Sequence, residues 1–156
     1  MSTRSYEDFV VGETLALGST VVDHDEMLAF AHRFDPQPFH TDPVAAKNSL
    51  LGGLCASGWF TASLWMRAWA DGVLAGSTSQ GSPGGREIAW PRPVFAGDEL
   101  HFTADVLSAR VSAKRPTLGL IEMTGRALRG GDPADEVLRL TFIGLFSTRD
   151  DSAMRH

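Results

Sequence analysis

Cysteine is almost absent from this 156-residue chain: Cys55 stands alone, so no internal disulfide can form and a reducing, cytoplasmic location is expected. Basic charge is in deficit, with 14 Lys and Arg against 19 Asp and Glu. No basic cluster interleaves with aromatics, which disfavours nucleic-acid binding. Nothing near the N-terminus resembles a signal peptide. The longest apolar stretch, Ser57 to Leu74, is short and carries Arg67, Asp71 and Gly72, which argues against a membrane span. His24, His32, His40, Asp35 and Asp42 form no pair with a convincing ligand context, so no metal is expected. There is no internal repeat. A chain of this length buries roughly 68–70% of its unfolded surface as one domain, expected over residues 1–147, with a polar tail from Thr148 that frays.

What is present is concentrated between Phe34 and Gly58. Pro36, Pro38 and Pro43 fix their own φ and push the residues before them out of the helical region, so the stretch reads as a pinned, non-helical loop. In it stand a carboxylate, Asp35, and an imidazole, His40. Fully extended, five residues would separate them by roughly 16 Å at about 3.3 Å each, so they share a substrate only if the loop folds back. Asp42-Pro43 reads as an N-cap followed by proline at the first helical position, opening a short helix through Lys47. Asp35 has no such structural role, because Pro36 and Pro38 lack backbone donors.

Gly52, Gly53 and Gly58 lead into the apolar helix of Ser57 to Leu74, which is expected to be buried almost all round, with Arg67 and Asp71 paired at i,i+4. First-turn N–H groups of such a helix lack internal partners and sit at the positive end of its dipole. At Gly58 no side chain keeps a substrate oxygen from the amide, as an oxyanion hole requires; the alternative is that these glycines serve only a tight turn and close packing. Cys55 with His40 as base is a second chemistry to weigh, although its Leu-Cys-Ala setting suits a small hydrophobe.

Elsewhere, Met27, Leu28, Ala31 and Phe34 recur at helical spacing over Asp25 to Phe34. Gly76 to Gly85 reads as a mobile loop. Beyond it the period becomes two: Leu100, Phe102, Ala104 and Val106 alternate with polar residues, as do Ile121 and Met123, and Val137 to Phe146 suits a central strand. Turn clusters at Ala96–Asp98 and Gly130–Pro133 are expected to separate antiparallel neighbours. One long helix and several strands make an α+β domain whose sheet wraps a helix.

The run Asp35-Pro-Gln-Pro38-Phe-His40-Thr-Asp42-Pro43, with Ala46 and Gly58, resembles the MaoC-like acyl dehydratases, the group that includes (R)-specific enoyl-CoA hydratases of the hotdog fold. Phe9 to Glu13, Trp90 to Glu99 and Lys114 to Pro116 extend the likeness. Phe34 departs from the usual glycine and Gln37 from the usual asparagine. The resemblance implies a single hotdog domain, antiparallel strands around a long central helix, acting on acyl-CoA as homodimer or higher homo-oligomer, with no cofactor beyond the coenzyme A of its substrate. It implies Asp35 and His40 as the catalytic pair, the Gly58 amide as oxyanion hole, and Gln37 and Ser57 at the substrate. A hotdog thioesterase and a non-catalytic acyl-CoA-binding subunit of a heteromer are the alternatives. Arg86, Arg92, Lys114 and Arg115 are candidate phosphate contacts.

Overall fold

In a computed structural model, which describes residues 3–150, five antiparallel strands lie in the order β1-β3-β4-β5-β2. They are β1 (Thr14–Val21), β2 (Ser79–Ala89), β3 (Glu99–Val111), β4 (Leu118–Arg129) and β5 (Glu136–Ser147). Four helices precede β2: α1 (His24–Phe34), α2 (Pro38–Thr41), α3 (Pro43–Lys47) and α4 (Gly58–Gly72). This is the α+β hotdog arrangement, with α4 as the central helix. Among the described residues no helix is long and apolar enough to cross a membrane.

The period-two pattern places one face of the sheet against α4. Leu100, Phe102, Ala104 and Val106 of β3 and Ile121, Met123 and Ala127 of β4 are buried in one core with Phe60, Trp65 and Trp69 of α4. Trp65 anchors this contact. Its Nε1–H donates to the Thr103 carbonyl at 3.0 Å, and its ring packs edge-on against Phe142 of β5. The indole lies where a Cβ at Gly125 would be, so β4 carries glycine at the point of closest approach. The register of α4 on the sheet is thereby set, and with it the position of the helix N-terminus.

Several expectations change. The Gly76 to Gly85 segment is no loop: from Ser79 it is edge strand β2, paired with β5 and broken by register shifts near its glycines. Gly81 and Gly84 have φ of +94° and +133°, which accounts for the missing alternation. The turn at Ala96–Asp98 leads from β2 into β3, which pairs with β1 and β4 rather than with β2. Helix α4 is not buried all round; Trp59, Met66, Arg67 and Asp71 are exposed, the last two paired at 2.7 Å. Phe34 is exposed at the end of α1, its ring 5.1 Å from Phe30 and beneath Arg33. At the C-terminus Thr148 and Arg149 are fastened, their amides donating to the Thr117 carbonyl and the Glu7 carboxylate. The tail beyond, 151–156, lies outside the described residues.

Candidate active site

Helix α1 begins at Asp23, whose side chain accepts from the Glu26 amide at 2.8 Å, and ends on Asp35, whose own N–H still reaches the Ala31 carbonyl at 2.9 Å. Pro36 cannot continue it. The chain then makes one helical turn, α2, with Gln37 as N-cap and Pro38 at its first turn. This differs from the expected non-helical loop, and the reason is position: a proline at N1 costs no hydrogen bond and has a helix-ready φ. The turn folds His40 back, so that Nε2 lies 3.4 Å from Asp35 Oδ2. Asp42 then caps α3, accepting from the amides of Val44 and Ala45 as its sequence context predicts.

Both partners are held. Asp35 Oδ2 accepts from the Ser57 hydroxyl at 2.7 Å and Oδ1 from the Gln37 side-chain amide at 2.6 Å. His40 is buried, and its Nδ1 lies 2.8 Å from the Cys55 carbonyl. A carbonyl only accepts, so Nδ1 carries a proton and Nε2 is the nitrogen turned to Asp35. Burial pushes the Asp35 carboxyl up, but the hydrogen bonds from Ser57 and Gln37 counter it, and the group is held below the ordinary aspartate value. Asp35 is thus a carboxylate at neutral pH. Removing the Ser57 donor reverses part of this balance: in Ser57→Ala the Asp35 pKa rises, and the acidic limb of a kcat/KM profile is expected to move to higher pH. An unmoved limb would show that Asp35 is not the group that titrates there.

Cys55 Sγ is 3.5 Å from His40 Nδ1, but burial pushes the thiol up, which disfavours the thiolate that nucleophilic chemistry needs. Among the described residues no group of three His, Cys, Asp or Glu side chains is placed to hold a metal ion.

Asp35, Gln37, His40 and Gly58 line one cleft of about 400 Å³, whose other walls include Thr61, Trp90, Arg92 and Val94. Ser57 sits beneath it as N-cap of α4, accepting from the Trp59 amide. The Gly58 amide has no hydrogen-bond acceptor among the described residues. Above Gly58 lies Trp90, its Nε1–H donating to the Gly58 carbonyl at 2.8 Å. Trp90 and Thr61 were not legible as site residues: the run from Trp90 to Glu99 stands out in the sequence, but nothing in it says that it returns to α4. Of the candidate phosphate contacts only Arg92 reaches the cleft, where it bonds the Ala134 carbonyl; Arg86 pairs with Glu122 at 3.1 Å. A larger groove, about 660 Å³, lies between α4 and strands β2 and β5; it is lined by Trp65, Met66, Trp69 and Phe142 and contains neither Asp35 nor His40.

A sheet wrapped on one helix defines a hotdog domain, and here a carboxylate and an imidazole stand beside the N-terminus of that helix. The chain belongs to the MaoC like domain family, whose model matches residues 9–121. It is 36% identical to the MaoC-like dehydratase of Rhodospirillum rubrum, with a TM-score of 0.82 over 93% of this chain and 97% of that one. The fold is shared with the (R)-hydratase from A. caviae involved in PHA biosynthesis, at 24% identity and a TM-score of 0.67, covering 88% and 97%. It is shared too with a double-hotdog protein of Mycobacterium tuberculosis, at 13% identity and a TM-score of 0.79, covering 96% and 46%. The family is that of hydratase and dehydratase chemistry.

Proposed function

We propose that this protein adds water to trans-2-enoyl-CoA to give (R)-3-hydroxyacyl-CoA, and catalyses the reverse dehydration. The observation that carries this reading is the 3.4 Å approach of Asp35 Oδ2 and His40 Nε2 on the wall of the cleft. Two acceptors converge there on one position. A water between them donates a hydrogen to each and keeps its lone pairs free for C3. As its oxygen bonds to C3, Asp35 takes one of its protons as general base, and the C2–C3 π electrons move into the thioester. The carbonyl oxygen gains charge beside the Gly58 amide at the dipole's positive end. The proton returns through His40 to C2, so one water is added and both residues are restored. Gln37 and Ser57 keep the carboxylate ionised and aimed. The (R) configuration and the CoA carrier rest on the family likeness. The test is loss of the conjugated-enoyl absorbance with crotonyl-CoA while no free thiol appears; thiol release would instead identify a thioesterase, and binding without turnover a silent acyl-CoA-binding subunit.

The working form is a homodimer or larger assembly, with the reaction in the cytoplasm. Strand β2 pairs with β5 on one side, and nearly all of its residues are exposed. An edge of this length is normally paired or covered. A second copy joined along β2 would also cover part of the apolar groove beside it. Light scattering at micromolar concentration is expected to give at least twice the chain mass of 16.8 kDa; an active monomer would contradict this.

A further inference from the structure

Position 58 has a neighbour that the catalytic reading does not use. A Cβ built on Gly58 would lie 2.5 Å from Trp90 Cε2 and 2.6 Å from its Nε1, well inside any real contact. The indole yields only by giving up contacts: its Nε1–H donates to the Gly58 carbonyl at 2.8 Å, and its ring stands edge-on to Trp59 at 5.1 Å. Gly58 and Trp59 are the first two residues of α4, so one side chain from the segment after β2 touches the helix start through a hydrogen bond, a backbone contact and a ring contact. It also lines the cleft that holds Asp35 and His40. We propose that Trp90 is a positioning residue for the Gly58 amide, and that position 58 is glycine to admit this indole as well as a substrate oxygen.

This rests on the hydration reading and makes a claim that reading does not: the cost of a methyl group at position 58 depends on the residue at position 90. Gly58→Ala displaces the indole and tilts the first turn of α4, and kcat for crotonyl-CoA is expected to fall by about 10²-fold, the scale of a misplacement near 1 Å. Trp90→Phe keeps a ring but loses the donor, and kcat is expected to fall about 3- to 10-fold, the worth of one neutral hydrogen bond. KM changes less than kcat in both. In a Trp90→Ala background the three atoms nearest the added methyl are gone, so Gly58→Ala there is expected to cost at least about 10-fold less than in the wild-type background, the remainder being its crowding of the substrate oxygen, as for contacting positions that couple. The same methyl in the Trp90→Phe background is expected to cost an intermediate amount. That series decides the matter if the alanine variant does not fold, as judged by circular dichroism.

Affinity for butyryl-CoA, which cannot be hydrated, is measured alongside by titration calorimetry. A wild type that binds butyryl-CoA but leaves crotonyl-CoA unchanged would sink the hydration reading, while the dependence of position 58 on position 90 would still be read in binding. Equal loss from Gly58→Ala in every Trp90 background, in turnover and binding alike, would overturn the proposal.

Discussion

Asp35→Asn and His40→Gln are each expected to lower kcat for crotonyl-CoA by at least about 10²-fold, within the 10²–10⁴ typical of a positioned acid or base. The site tolerates both changes structurally. In Asp35→Asn the side-chain amide oxygen remains to accept from Ser57, and the Gln37 amide can turn its own oxygen toward the new NH₂ group. His40→Gln keeps a donor within reach of the Cys55 carbonyl. KM is therefore expected to change far less than kcat. Because both groups act on one water, the double variant is expected to lose much less than the product of the two single losses. Asp42→Asn is the matched control, since asparagine still caps α3. Steady-state kinetics on the four variants, with folding checked by circular dichroism, decides it: Asp42→Asn as damaging as Asp35→Asn, or Asp35→Asn near the wild-type rate, would remove the assigned pair.

The largest expected effect on stability is at Trp65. Its indole fills the space over Gly125, packs on Phe142 and bonds the Thr103 carbonyl. Trp65→Ala therefore leaves a cavity and removes a hydrogen bond at the centre of the helix–sheet contact. The expected loss is about 3–5 kcal/mol, a large share of the ~5–15 kcal/mol that holds a domain of this kind together. The reciprocal change, Gly125→Val, is expected to destabilise by about 1–3 kcal/mol through overpacking. Urea titration reads both as a lowered midpoint at unchanged slope. A Trp65→Ala midpoint within error of wild type would mean that α4 is not seated on β4 as described.

The candidate site was legible because Asp35 broke a local rule. Asp35 had nothing to cap, whereas Asp42 did, and the structure separates them in that way: Asp42 accepts from two helical amides and Asp35 from Ser57 and Gln37. The strands β3 and β4 were legible from their alternation, since one face of each meets the core, and β5 from an apolar run that suits a central strand. Strand β2 was not, because an edge strand exposed along its length, with bulges at glycines, shows no alternation and has the composition of a loop. Helix α2 was hidden by the same prolines that mark the site: Pro36 ends one helical pattern and Pro38 starts the next turn. Phe34 continues the apolar spacing of α1 one step past the core, so periodicity assigned it to the face of Met27 and Ala31, which are buried, while Phe34 itself lies in solvent. Trp90 lies 32 residues from Gly58, and no local pattern encodes a contact over that separation.

The most direct measurement combines two signals from one reaction: the conjugated-enoyl absorbance of crotonyl-CoA and the appearance of free thiol, followed with wild-type protein and with Asp35→Asn. The expected result is rapid loss of absorbance with no thiol in the wild type, a 3-hydroxybutyryl-CoA product of (R) configuration, and at least about a 10²-fold slower loss in the variant. Thiol released in step with absorbance loss, or a rate that Asp35→Asn leaves unchanged, would contradict it.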